Sequence, residues 1–248
     1  MVPGGYASRN ANLPIGDSLS GNAYANREIG VPADVPSENP WHSRGYLPHF
    51  DGQEAIQHVT FHLADSLPKE TLARLQAEVG HLPEDERKRA MTARLQDWMD
   101  SGHGSCVLRE PDIAAMMGGV LRFFADDRYT LFEWVVMPNH VHVLFKPLQG
   151  WKVSQIVASW KKFSARKILE WTANRTANRN ANLPIGAAPP NVWHREYWDR
   201  FMRDEAHFNR AASYIRNNPV KAGLVERAEQ WKWGSAYREA NREIGVPK

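Results

Sequence analysis

The sequence predicts an α+β sandwich in which helices pack on an antiparallel sheet. Two observations carry this reading. Strand and helix patterns interleave along the chain, and a tight hairpin sits in its middle, between Tyr129 and Lys146. A hairpin joins antiparallel neighbours, which argues against a doubly wound parallel sheet.

Residues 1–40 are rich in Gly, Pro, Asn and Ser without a sustained apolar period, the pattern of an N-terminal tail. One domain is expected over 41–238, with order beginning near Trp41, and a short C-terminal tail over 239–248. Gln57 to Leu63 alternates like a strand. Pro68 opens a helix carrying Leu72, Leu75 and Val79, and Pro83 opens another with Met91, Leu95 and Trp98. A third helix follows Pro111, with Ile113, Met116, Met117, Val120, Leu121 and Phe124 on its apolar side. Tyr129–Met137 and Val141–Lys146 read as strands joined by a Pro-Asn turn. Val153 to Trp171 reads as a long helix with Ile156, Val157, Trp160, Phe163 and Ile168 facing inward. A low-order insertion is expected over about 172–191, then a short strand near Glu196–Met202. Asp204 has the character of an N-cap for a last helix that ends before Pro219.

The totals fit a globular protein with a real core: 248 residues, 42% hydrophobic and 24% charged. No run approaches the roughly 18 apolar residues of a membrane span, and no signal peptide is visible at Met1-Val2-Pro3-Gly4-Gly5. A single cysteine, Cys106, excludes an intramolecular disulfide and a thiolate cluster, so a cytoplasmic location is expected. The net charge of +3 permits a nucleic-acid partner without arguing for one.

Chemistry concentrates in Val135-Val136-Met137-Pro138-Asn139-His140-Val141-His142-Val143-Leu144-Phe145. Side chains alternate faces in a strand, so His140 and His142 point one way and Val141, Val143 and Phe145 the other, into a core. Two imidazoles on one rigid face can chelate a divalent ion. Leu144 stands where a histidine-triad hydrolase needs a further histidine and where a binuclear zinc hydrolase needs an aspartate. No His-Glu-x-x-His occurs, which excludes a zincin. Downstream, Phe208, Ala212 and Ile215 form one helical stripe, and Tyr214 and Asn218, four apart, share the next with His207 and Arg203 close by. The residues alone allow two accounts. Tyr214 packs at the core edge and Asn218 ends the helix, or Tyr214 is a nucleophile and Asn218 an oxygen ligand.

Together the two segments resemble the single-tyrosine HUH nucleases, and most closely the REP-associated tyrosine transposases. The matching stretches are Val135–Leu144 and Tyr214-Ile215-Arg216-Asn217-Asn218-Pro219-Val220-Lys221-Ala222-Gly223-Leu224-Val225. Val59–Leu63, Ser159–Phe163, Trp193–Tyr197 and Trp231–Ala236 look familial too, so the likeness covers residues 41 to 237. The resemblance implies a ferredoxin-like sandwich, with His140, His142 and Asn218 as metal ligands and Tyr214 as the attacking residue. It implies Mg²⁺ or Mn²⁺ as cofactor and single-stranded or hairpin DNA of repetitive palindromes as partner. Lys161 and Lys162, with Arg195 and Arg203, are the expected DNA contacts, supported by aromatic stacking. The rival expectation is a DNA-hairpin-binding protein without turnover.

Two peptides each occur twice. Arg-Asn-Ala-Asn-Leu-Pro-Ile-Gly fills 9–16 and 179–186, and Ala-Asn-Arg-Glu-Ile-Gly-Val-Pro fills 25–32 and 240–247. Encoded as GCC AAT CGG GAG ATT GGC GTT CCG, the second peptide has a reverse complement that translates to the first. The gene is therefore expected to hold one short DNA repeat in both orientations. The N-terminal pair would form a hairpin whose loop encodes residues 17–24.

Overall fold

The computed structural model describes residues 41–43, 48–50, 55–177 and 191–238. The expected tails over 1–40 and 239–248 lie outside these, as does 178–190. Two short strands, β1 (Trp41–Ser43) and β2 (Pro48–Phe50), pair antiparallel. They are followed by β3 (Gln57–His62), α1 (Lys69–Val79), α2 (Glu84–Asp100) and α3 (Pro111–Phe123). Then come β4 (Tyr129–Val136), β5 (His140–Pro147), α4 (Val153–Ala177), β6 (Trp198–Phe201) and α5 (Glu205–Lys221).

The main sheet has four strands in the order β4-β5-β3-β6, every pair antiparallel. Its first strand, β3, lies beside its third, β5. Helices carry the chain from β3 to β4 and from β5 to β6. That is the β-α-β-β-α-β connectivity of the ferredoxin-like sandwich, with α1 and α2 added before the first crossover helix.

Alternation along β5 divides two cores. Val141, Val143 and Phe145 are fully buried against Ile113, Met117 and Leu121 of α3 and Ile156, Val157 and Trp160 of α4. On the other face Leu144 and Val135 pack with Phe208, Ala212 and Ile215 of α5. The large aromatics satisfy their polar ends: Trp160 Nε1 donates to Tyr129 Oη at 3.0 Å, and that hydroxyl donates to the Leu121 carbonyl at 2.9 Å. A bulge between Leu131 and Glu133 shifts the β4 register. Phe132 at the bulge meets Phe208 edge-on, with ring centroids 5.3 Å apart.

Glu133 is buried beneath α5. It accepts from Arg216 and, at 2.6 Å, from the Ser235 hydroxyl. Ser235 belongs to the segment closing the β4 edge, where Val136 N donates to the Trp233 carbonyl and Ser235 N to the Trp134 carbonyl. Glu133→Ala is expected to cost about 2 kcal/mol in urea unfolding. This is less than a fully buried pair because the Arg216 side chain is 41% exposed and can rehydrate. A change below about 0.5 kcal/mol would show that the pair is only decorative.

Three expectations are corrected. The long helix α4 does not stop at Trp171 but runs to Ala177. Thr172 Oγ1 donates to the Ile168 carbonyl, and Arg175 both pairs with Glu110 at 3.0 Å and covers the Trp171 ring, so the extra turns have partners. Phe163 does not face inward; it is 43% exposed. The last helix, α5, does not end before Pro219 but continues to Lys221. A proline so near the C-terminus removes one amide donor without unwinding the helix. Gly223, at φ 67, then closes it: Gly223 N donates to the Val220 carbonyl and Leu224 N to the Pro219 carbonyl, both at 2.9 Å.

Candidate active site

The turn joining β4 to β5 is pinned from both sides. Met137 N bonds the His140 carbonyl, Leu63 N the Asn139 carbonyl and Leu108 N the Pro138 carbonyl. It delivers His140 and His142 to the sheet face that also receives α5, both about 1% exposed. The antiparallel register sets His62 opposite His140 and Thr60 opposite His142.

Hydrogen bonds fix how the first imidazole presents itself. Asn139 Nδ2 donates to the His103 carbonyl at 2.9 Å, so its Oδ1 faces His140 Nδ1, 2.7 Å away. An amide oxygen only accepts, so His140 carries its proton on Nδ1 and turns a bare lone pair inward from Nε2. The Thr60 hydroxyl, 2.8 Å from His142 Nδ1, can accept a hydrogen bond from an N–H there in the same way. The two Nε2 atoms lie 3.1 Å apart, each aimed at the other.

Two helices complete the site. Asp100, the last residue of α2, brings Oδ1 to 3.8 Å from His140 Nε2. Asp100, His140 and His142 each offer a ligand atom, and these lie within 4.8 Å of one another. From α5, Asn218 is fully buried, and its Oδ1 lacks a hydrogen-bond partner. Tyr214, one turn earlier, has its ring 5.3 Å from that of His142 and a buried hydroxyl without a partner. Lys221 ties the two helices, with Nζ 3.0 Å from Asp97 Oδ1 and 2.9 Å from Asp100 Oδ2.

This donor set fits a divalent cation. Two convergent imidazoles and a carboxylate whose side chain is 8% exposed make a mixed nitrogen and oxygen site, and the buried amide oxygen of Asn218 has no other partner. The cavity there is about 40 Å³, lined by Thr60, Leu95, Asp100, His140, His142 and Tyr214 among others. That holds an ion with a water or two, not a nucleotide.

Burial sets the electrostatics. It holds His140 down to about 3 and His58 to about 4, and pushes His62 and His142 well below the ordinary imidazole value. The unfolded chain takes up these protons near pH 6.5 and the folded protein does not. Stability is therefore full above pH 6.5 and declines as pH falls toward 4. The midpoint of thermal unfolding in EDTA is expected to drop steadily from pH 7 to pH 5; a flat profile would contradict four neutral buried histidines. Burial also pushes the Tyr214 phenol above its ordinary value, aided by the nearby charge of Asp100 and opposed by Lys221.

Of the expected DNA contacts, Lys162, Arg195 and Arg203 are exposed. Arg203 rests its guanidinium 5.7 Å over the Phe201 ring. Lys161 departs from a free surface cation. Its Nζ donates to the carbonyls of His194 at 2.7 Å and Arg195 at 2.9 Å, and burial lowers it to about 8. Trp160 and Trp193 are core residues, whereas Trp198 stacks on His62 with centroids 4.8 Å apart. Asp100, Lys221 and Thr60 escaped the sequence reading. One signal existed: Asp97 and Asp100 fill the last turn of α2, where the helix dipole disfavours carboxylates.

Residues 109–218 match the family model described as "Transposase IS200 like". This segment is similar to that transposase family. It contains His140, His142, Tyr214 and Asn218 but not α1, α2 or Lys221. A REP-associated tyrosine transposase of Escherichia coli (strain K12) is 23% identical over 125 residues, which are 50% of this chain and 65% of that protein. A Haemophilus influenzae protein provisionally given the same name is 27% identical over 110 residues, 44% of this chain and 60% of its own. The chain thus spans less than two thirds of the length of these curated relatives. A solved REP-associated tyrosine transposase bound to a REP hairpin is similar over 77% of this chain and 81% of that one, at 14% identity and a TM-score of 0.46. Among the described residues no helix is long and apolar enough to cross a membrane.

Proposed function

We propose that the chain is a metal-dependent single-strand DNA endonuclease and strand transferase that acts on hairpin-forming repetitive DNA through Tyr214. The observation that carries this reading is the meeting of bare imidazole nitrogens and the Asp100 carboxylate beside the unpartnered Tyr214 hydroxyl, with the buried, unpartnered Asn218 amide oxygen one turn further along α5 and both histidines in a transposase-like segment.

His140, His142 and Asn218 are the proposed ligands, with the Asp100 carboxylate as a fourth, for Mg²⁺ or Mn²⁺. Two nitrogens favour Mn²⁺, while the oxygen donors suit either. When bound, the ion supplies Lewis-acid stabilisation to the charge that grows on phosphate and leaving oxygen. Tyr214 Oη attacks the phosphorus. The new tyrosine–phosphorus bond forms as the bond to the 3′ oxygen breaks, the phenol proton is released, and the leaving oxygen gains one. The 5′-phosphotyrosine conserves the bond energy, so attack by a free 3′-hydroxyl rejoins strands without ATP. Lys221 lowers the cost of a Tyr214 phenolate. Lys162, Arg195 and Arg203 offer phosphate contacts, and Lys161 holds the 194–195 backbone that presents Arg195.

The rival reading, a hairpin-binding protein without turnover, draws on the buried and unactivated state of Tyr214. Incubating the full chain with single-stranded hairpin DNA and Mn²⁺ separates the two. A covalent protein–DNA adduct supports the enzyme, and binding without an adduct supports the rival.

A further inference from the structure

All four copies of the paired peptides lie outside the described residues, at 9–16, 25–32, 179–186 and 240–247. What requires explanation is how the two peptides differ. Ala-Asn-Leu-Pro-Ile-Gly at 11–16 and Ala-Asn-Arg-Glu-Ile-Gly at 25–30 share both ends and disagree only at the two central positions. Duplication followed by drift scatters differences and gives no reason for identical ends.

The genetic code supplies the reason. GCC AAT encodes Ala-Asn, and its reverse complement, ATT GGC, encodes Ile-Gly. A DNA unit beginning with the one and ending with the other therefore reads Ala-Asn…Ile-Gly from either strand. Its centre is not symmetric: CTC CCG reads Leu-Pro, and its reverse complement, CGG GAG, reads Arg-Glu. The flanks obey the same rule, since CGG AAC gives the leading Arg-Asn of one peptide and GTT CCG the trailing Val-Pro of the other. One imperfect palindrome read in two orientations accounts for every residue of all four copies.

We infer that the gene for this chain carries four copies of the unit CGGAAC-GCCAAT-CTCCCG-ATTGGC, two in each orientation, and that this unit as a single strand is DNA taken by the site described above. The inference rests on the proposed nuclease reading and adds a definite sequence to it. As a single strand each unit folds on itself, the GCCAAT arm pairing with ATTGGC around an unpaired CTCCCG loop. The CGGAAC flank stays unpaired on one side only. The stem is the same from either strand, so only flank and loop distinguish the orientations. Such a hairpin with a single-stranded foot suits a site in which one tyrosine stands beside an ion-sized cavity.

The nucleotide sequence of the gene is the first test. Synonymous codons that break the pairing of the GCCAAT and ATTGGC arms overturn the inference. The second test incubates the full chain and Mn²⁺ with equal amounts of three labelled strands: the repeat unit, the unit with one arm changed so that it cannot pair, and a pool of unrelated hairpins. Covalent adduct at least about tenfold richer in the repeat than in either competitor is expected. Adduct on unrelated hairpins without preference for the repeat overturns this inference and leaves the nuclease reading standing. No adduct on any strand overturns both.

Discussion

Tyr214→Phe is expected to abolish the covalent adduct and reduce strand cleavage by at least about a thousandfold, leaving hairpin binding within about twofold. The ring keeps its place beside His142 and over the α5 core, so the site stays assembled. The same substitution is expected to stabilise the fold. Tyr214 Oη is buried with no partner, and removing an unsatisfied hydroxyl is worth roughly 1 kcal/mol, or a few degrees in the thermal midpoint. Retained cleavage in a well-folded Tyr214→Phe protein would remove Tyr214 from the chemistry. A gain in stability with loss of cleavage is the signature of a group kept for function at a cost to the fold.

The second large effect concerns His140 and His142. Mn²⁺ at a hundredfold excess over its dissociation constant stabilises a folded protein by roughly 2.7 kcal/mol, about 5–10 °C here. In the His140→Ala, His142→Ala double variant this rise should vanish, along with metal-dependent cleavage. Asp100→Asn tests the fourth donor. As a ligand its loss should weaken Mn²⁺ binding by about tenfold or more, and an unchanged titration would reduce Asp100 to a partner of Lys221. Unaltered metal-dependent stabilisation in the double variant would refute the ligand set outright.

Much of this architecture was legible in the chain because it is written locally. Period-two alternation from His140 to Phe145 gave both the strand and the face of each histidine. The four-residue interval from Tyr214 to Asn218 gave their shared side of α5. What escaped depends on partners far away in sequence. Asp100 reaches His140 only because α1 and α2 fold back over the sheet, and no spacing within α2 announces that. Pro219 suggested a helix end, yet the closure at Gly223 and the buried contacts of Ile215 and Asn218 carry α5 one turn further. That turn is what places Lys221 within reach of Asp97 and Asp100. Phe163 satisfied the helical period but lies on the exposed side of α4, where only the Arg166 guanidinium is recorded over its ring among the described residues.

The cover that α2 lays over the cavity bears on the lifetime of a tyrosine ester. For a strand transferase, the competitor of the incoming 3′-hydroxyl is water, which would turn a conserved bond into an irreversible nick. Leu95, Met99 and Asp100 of α2 line the cavity beside Tyr214, so on the proposed reading this helix limits the water that can stand in line with the phosphorus. Helix α2, which lies outside the matched segment, thus acts, on the proposed reading, as protection against hydrolysis. On the same reading Lys221, on the helix that carries Tyr214, keeps that shield fastened through Asp97 and Asp100.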